Sequence, residues 1–315
     1  MADNSLAFVF PGQGSQKVGM LAAAHQQFEA VRHTFAEASD TLGYDVWDLI
    51  QNGEQEALNM TETTQPVLLS SSVALWRAWC EAGGTAPAIM AGHSLGEFSA
   101  LVCAGALAFA DAVDLVRQRG SFMQSAVPVG EGAMAAIIGL DDDAINRICG
   151  EVSATTGGVV AAVNFNSPGQ VVIAGESAAV DAAISALKEG GAKRAMPLPV
   201  SAPFHTELMK PAGERLAGAI ADVAITCPAV PVVHNVHART ETDPEAIRAL
   251  LVQQIYSPVQ WTQCVQAMMA VGVTRLAECG PGKVLSGLNR RIDKTLTSFS
   301  LEAPEDFNQT LADLA

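Results

Sequence analysis

The sequence predicts an α/β protein: a larger domain built on a central, mainly parallel sheet, with a smaller ferredoxin-like subdomain inserted into it. Three observations carry this. Short apolar runs of strand length alternate with longer segments of helical period along most of the 315 residues. A strand, a serine-bearing turn and a helix follow one another over 86–106. Between 133 and 198 the order is β-α-β-β-α-β, the pattern of a ferredoxin-like unit. The larger domain is therefore expected over 1–128 and 199–315, and the smaller over 129–198.

Leu6 to Phe10 reads as a short apolar strand, running into Pro11-Gly12-Gln13-Gly14-Ser15-Gln16. That loop is rich in backbone donors. It fits a phosphate loop poorly, because no Gly-Lys-Ser/Thr follows; a donor loop beside the serine turn is the better reading. Leu21 to Leu42 has helical period. Gln65-Pro66 opens a long apolar helix through Trp79, with Pro66 suited to a first turn.

Ala86 to Ala91 is a buried strand, and Leu95 to Ala106 a helix. Between them, Gly92-His93-Ser94-Leu95-Gly96 reads Gly-x-Ser-x-Gly. A strand, a sharp turn with Ser and a helix make the nucleophile elbow of a hydrolase-like α/β domain. The glycines leave room for the turn and for close packing. The turn lifts Ser94 Oγ out of the sheet, at a helix N-terminus whose free N–H groups can stabilise an oxyanion.

Asp111 to Val127 is the next helix. At about 100° per residue, Ala112, Val116, Met123 and Val127 share one stripe, and Arg119 falls about 60° from its centre. Arg117 points away and is solvated. An arginine bordering an apolar face needs an anionic partner or a route to water. An internal Asp or Glu, a snorkelling side chain, or a substrate carboxylate held bidentately would each satisfy it. The pattern leaves these open.

Pro128 to Gly132 is a linker, followed by a strand over 133–139 and a helix over 141–150 with Asp141 as its N-cap. Strands at 159–164 and 170–174 flank a hairpin turn, Asn166-Ser167-Pro168-Gly169. A helix over 177–188 and a strand over 193–198 complete the insert. The return is Pro-rich and ends at His205, before a helix over 207–221. Of the six histidines, His25 and His33 lie on a polar helix, and His234 and His237 near the end of a strand over 230–234. His93 is on the wrong side of its own turn to serve Ser94. His205 is the candidate base. Helices over 244–255 and 261–271, a strand over 273–278 and a helix over 284–292 follow.

Composition bounds the partners. The net charge is −15, which makes nucleic acid and anionic membranes poor partners. Two local basic groups stand out, Lys188/Lys193/Arg194 and Lys283/Arg290/Arg291/Lys294, each equally readable as solvated surface. No apolar run approaches the roughly 18 to 20 residues of a membrane span. Met1 to Ser5 has no basic n-region, so a secretory signal is not expected. Six cysteines without a C-x-x-C pair suggest reduced thiols and a cytoplasmic setting.

Several stretches together resemble the malonyl-CoA:acyl carrier protein transacylases of type II fatty acid synthesis. They are Phe10-Pro-Gly-Gln-Gly-Ser-Gln16, Gly92-His-Ser-Leu-Gly96, Arg117-Gln-Arg-Gly120 and Pro203-Phe-His205. Asn164 to Gln170 and Gln254 to Trp261 agree as well. The resemblance runs from about Leu6 to about Ile292. It implies Ser94 as the acyl-accepting nucleophile, His205 as general base and Arg119 as the binder of the malonyl carboxylate. It implies an oxyanion hole from the backbone N–H groups of Gln13 and Leu95, and a Gln254 backbone carbonyl that orients the histidine where a triad would use an acid. Phe204 resembles the malonyl-preferring form of its motif. The tail beyond Thr295 carries no matching motif.

The resemblance further implies malonyl-CoA and holo acyl carrier protein as substrates, no bound cofactor or metal, a monomer, and no nucleic-acid or membrane partner. A serine esterase or thioesterase on the same elbow is the alternative activity. A non-catalytic module using the Gln13 loop for phosphate is a second alternative. An acidic enzyme serving an acidic carrier should offer a positive face, and Lys188/Lys193/Arg194 is the expected one.

Overall fold

The computed structural model describes residues 3–200 and 202–314. In chain order it begins with β1 (Asp3–Phe10), α1 (Ala22–Gln27), α2 (Glu29–Leu42), α3 (Val46–Asn52), α4 (Gln55–Leu58) and α5 (Thr61–Glu81). The elbow follows as β2 (Pro87–Gly92) and α6 (Leu95–Cys103), and then α7 (Phe109–Gln124). The insert runs β3 (Gly132–Ile138), α8 (Asp142–Thr156), β4 (Val160–Ser167), β5 (Gln170–Glu176), α9 (Ser177–Glu189) and β6 (Arg194–Pro197). A 3₁₀ turn (Glu207–Met209) leads to α10 (Lys210–Ile220), β7 (Val232–Val233), α11 (Pro244–Gln254) and α12 (Trp261–Ala270). The chain closes with β8 (Arg275–Glu278), α13 (Val284–Ile292), β9 (Thr297–Ser300) and α14 (Pro304–Asp313).

Five strands form one sheet in the order β7-β2-β1-β8-β9, and every pair in it is parallel. A parallel sheet needs cover on both faces, and β1 shows how it is supplied. Leu6, Phe8 and Phe10 point into a core shared with α5 and α6, where Phe8 meets Trp79 edge to face. Ala7 and Val9 point into a second core with Trp261, Val265 and Met268 of α12. Period-two alternation with both faces apolar makes β1 a continuous hydrophobic run.

The insert is ferredoxin-like. Its four strands lie in the order β4-β5-β3-β6, all antiparallel. One face packs under α8 and α9. The other face sends Met134, Val163 and Val172 into the main core. Hydrogen bonds from Phe165 N–H to the Val259 carbonyl (3.0 Å) and from Val259 N–H to the Val163 carbonyl (2.8 Å) tie β4 to the larger unit.

Local signals set most element ends. Asp141 caps α8 by accepting from Ala144 N–H at 2.7 Å. The hairpin turn narrows to Pro168-Gly169, with Gly169 at φ 72°, the proline-then-glycine order of a type II turn. Other expectations need correction. The 21–42 segment is two helices, because Phe28 is extended (φ −105°, ψ 122°) and the Arg32 guanidinium caps the carbonyls of His25 and Gln26. The helix expected from Gln65 starts at Thr61, so Pro66 lies inside it; Glu62, whose carbonyl loses its helical donor there, is exposed to water. Gly150 does not end α8, which runs on to Gly157 in the left-handed region. The motif-free tail folds as β9 and α14, and closes the parallel sheet at its edge. Among the described residues no helix is long and apolar enough to cross a membrane.

Candidate active site

The site forms at the carboxyl ends of β1 and β2, where a parallel sheet opens a crevice. The first strand ends in the Gln13 loop and the second in the elbow. The two are pressed together: His93 N–H donates to the Phe10 carbonyl at 3.0 Å. A Cβ on Gly96 would stand 2.1 Å from that carbonyl oxygen, and one on Gly92 would stand 1.8 Å from the Gly96 carbonyl carbon. Only glycine permits this approach. The turn itself is strained, with Ser94 at φ 51° and ψ −108°. Such a residue costs about 1–3 kcal/mol and persists only where its surroundings hold it.

What holds it is a buried clamp. Asn235, just past β7, accepts from Ser94 N–H (2.7 Å) and donates to the Gly92 carbonyl (2.7 Å). Glu97, fully buried in the first turn of α6, accepts from the Asn235 N–H (2.9 Å) and from His234 Nδ1 (2.7 Å). None of these three was legible as a site residue. The available signal was Glu97, a lone charge among Leu95, Phe98, Ala100 and Leu101 on an apolar helix.

His205 arrives on the return from the insert, itself at φ 64°. Its Nε2 lies 2.8 Å from Ser94 Oγ, and its Nδ1 lies 2.9 Å from the backbone carbonyl of Gln254. A carbonyl only accepts, so Nδ1 carries the proton and Nε2 turns its lone pair to the serine. Burial, reinforced by the Arg119 charge, pushes the imidazole down to about 3, so it is neutral at ordinary pH. His93 faces the other way, its Nε2 on Asn166 Oδ1 at 2.8 Å.

Arg119 comes from α7 and is only 1% exposed, deeper than the flank its phase suggested. Its Nη1 donates to Gln65 Oε1 (2.8 Å), and its Nη2 donates to Gln254 Oε1 (2.8 Å) and Ser94 Oγ (3.2 Å). The guanidinium carbon sits 5.3 Å from the Phe98 ring centre. Nε has no partner. Among the described residues no Asp or Glu forms an ion pair with it, and its neighbours are neutral amides. Burial lowers it to about 10, against the opposing pull of Glu97. Of the readings open for Arg119, an internal carboxylate partner and a snorkelling side chain are both excluded by these contacts.

Ser94, Arg119 and His205 share the wall of a cavity of about 640 Å³ with Gln13 and Leu95, and Met134 and Val172 enter it from the smaller sheet. Gln13 is half-buried, and its side chain reaches Thr61 Oγ1. Leu95 is the first residue of α6, where a backbone N–H has no helical acceptor. Five of the six sequence-derived site residues thus border one space, and Gln254 is buried behind it, in contact with His205 and Arg119.

The chain matches the family model described as the acyl transferase domain over residues 7–302. It is 60% identical over 298 residues to the malonyl CoA-acyl carrier protein transacylase of Escherichia coli strain K12, covering 95% of this chain and 96% of that one. The Bacillus subtilis strain 168 protein of the same name is 46% identical over 302 residues, with 96% and 95% covered. Among solved structures, the malonyl-CoA:acyl carrier protein transacylase of Xanthomonas oryzae superposes with a TM-score of 0.97 at 52% identity, covering 100% of both chains. A malonyl-transacylase in complex with its type II PKS acyl-carrier protein superposes with a TM-score of 0.96 at 53% identity, covering 98% of this chain and 99% of that one. By sequence and by fold, this chain belongs to the acyl transferase family, among the malonyl-CoA:acyl carrier protein transacylases.

Proposed function

We propose that this chain moves malonyl from malonyl-CoA to the phosphopantetheine thiol of acyl carrier protein through a malonyl ester on Ser94. The observation that carries it is a buried arginine, without a carboxylate partner, whose Nη2 lies 3.2 Å from the hydroxyl of a strained elbow serine. A site that acylates a serine beside a guanidinium held only by neutral acceptors suits an acyl group with its own carboxylate.

In the first half, His205 Nε2 takes the Ser94 proton as Oγ attacks the thioester carbonyl. The tetrahedral oxyanion is received by the Gln13 and Leu95 N–H groups; one such donor is worth about 3–4 kcal/mol elsewhere. The C–S bond breaks, His205 returns the proton to the leaving sulfur, and CoA departs. In the second half the carrier thiol gives its proton to His205, attacks the ester and releases Ser94. Arg119 holds the malonyl carboxylate throughout. Gln254 keeps the imidazole turned. The reaction as proposed draws on the chain's own groups alone.

We extend the reading to a cytoplasmic setting, supported by six free cysteines, and to a monomer. The proposed units are 1–128 with 199–315, and 129–198. Lys188, in the last turn of α9, and Lys193 and Arg194, at the start of β6, are exposed; β6 leads into the cavity wall, and we propose the three as the carrier-docking face.

Intact mass after mixing with malonyl-CoA tests the core of this. A malonyl adduct is expected on the unmodified chain and none on Ser94→Ala. No adduct on the former, or an undiminished one on the latter, overturns it.

A further inference from the structure

Arg119 raises a question that its direct contacts do not answer. A buried cation is costly unless a counter-charge is near, yet its hydrogen bonds go only to amides and a hydroxyl. The nearest counter-charge is Glu97, one side chain away. Gln254 stands between them. Its Nε2 donates to Glu97 Oε2 at 2.8 Å and to the Ser94 carbonyl at 3.0 Å. Its Oε1 accepts from Arg119 Nη2 at 2.8 Å. The amide cannot be turned over. Flipped, its NH₂ would face the donor-only guanidinium, and its oxygen would face a carboxylate and a carbonyl.

A direct Glu–Arg pair would fill the guanidinium fork and would have to break before a substrate carboxylate could enter. Joining the two through an amide avoids that. We propose that the Gln254 side chain is a specificity-determining spacer, which lets Glu97 balance Arg119 across a neutral amide while the guanidinium holds only neutral acceptors, which a substrate carboxylate can displace. This role is separate from that of the Gln254 backbone carbonyl, and it rests on the reading of Arg119 as the malonyl anchor. Glu97 is then a positioning residue. It reaches the substrate only through Gln254 and Arg119, and His234 and Asn235 fix its carboxylate from the far side.

The test moves the negative charge by one side chain, so Gln254→Glu is made together with Glu97→Gln, which keeps two carboxylates from meeting at the 2.8 Å contact. The double variant places a carboxylate directly on Arg119 and leaves the backbone carbonyl to His205 in place. Malonyl-CoA and acetyl-CoA are compared as acyl donors. The ratio of their kcat/KM values is expected to fall at least tenfold in favour of acetyl, chiefly through a higher KM for malonyl-CoA. Gln254→Met keeps the length without charge or amide, and is expected to lose less of the ratio than the double variant. An unchanged ratio in the double variant, or an equal loss in it and in Gln254→Met, overturns the proposal.

A second measurement isolates Glu97. The titratable groups that face Arg119 and Glu97 are His205 on the return loop, against Arg119, and His234 past β7, against Glu97; His93 in the elbow acts on His205. Glu97→Gln removes the charge that holds the guanidinium protonated against burial. The alkaline limb of malonyl kcat/KM is expected to move to lower pH, while that of acetyl stays. No movement of the malonyl limb, or equal movement of both, counts against the role of Glu97. Failure of the anchor reading itself looks different: Arg119→Ala would then keep the unmodified malonyl-to-acetyl ratio.

Discussion

Arg119 Nη2 donates to Ser94 Oγ at 3.2 Å, while the same oxygen lies 2.8 Å from His205 Nε2. A guanidinium has only donors, so Oγ accepts from it and its own proton must go to the histidine. In the proposed mechanism the arginine thus aligns the hydroxyl for deprotonation. Arg119→Ala should therefore lower malonyl kcat/KM by about 10- to 150-fold, the worth of a charged hydrogen bond at roughly 1.5–3 kcal/mol. It should lower acetyl transfer less. Arg119→Lys should not restore the loss, because an ammonium cannot span both Gln65 and Gln254 as a planar fork does. Steady-state rates with both donors decide it.

The Asn235 clamp predicts a loss that is more than instability. Asn235→Ala leaves the Ser94 N–H and the Gly92 carbonyl without their partner, at about 1–3 kcal/mol for each buried group. Urea melts should show the destabilisation. Single-turnover acylation of Ser94, measured well below the melting range, should also slow. Acylation at the unmodified rate by a destabilised but folded variant would make the clamp a purely structural feature.

Two glycines separate close packing from helix propensity. Gly96→Ala puts a Cβ 2.1 Å from the Phe10 carbonyl oxygen, where neither backbone can give way. It should cost about 1–3 kcal/mol or more, with Ser94 acylation lost. Gly218 on α10 has nothing within 4 Å of its Cβ position. Gly218→Ala should be stabilising by up to about 1 kcal/mol. Paired thermal melts compare them directly.

Stability should fall as pH drops. His205 is pushed from 6.5 to about 3 in the folded chain, and His93 is also lowered by burial. Between those values the unfolded chain binds protons that the folded one refuses. The stabilisation is complete above about 6.5 and is lost as pH falls toward the folded values. Urea midpoints measured from pH 7 to pH 4 should decline, and His205→Asn should flatten the slope. A midpoint that stays level over that range contradicts the burial of both histidines.

Legibility followed range. The elbow, the Asp141 cap and the hairpin at Pro168-Gly169 are local patterns, and they sit where the sequence put them. The ferredoxin-like insert was readable because its strands and helices alternate within one short segment. Ser94, His205 and Arg119 were readable through motifs in order, although periodicity alone left Arg119 undecided. Asn235, Glu97, His234 and Gln65 were not. Each matters through a partner distant in the chain, as with Asn235 and Ser94, and no spacing rule joins them. Pro66 misled because a proline usually starts a helix, whereas here Thr61 starts it and places Gln65 one turn on, beneath Arg119. The tail was silent because an edge strand and a short covering helix need only fit a surface that already exists.

The partner of His205 Nδ1 is a peptide carbonyl. A carboxylate in that place would titrate in acid and could be deleted by a single codon change. A main-chain oxygen does neither. Alanine scanning would pass over it, since alanine at 254 keeps the same atom. Its position answers only to the path of the backbone at the end of α11. The third member of the proposed catalytic group is therefore inherited with the fold, and only a shift of that helix end can remove it.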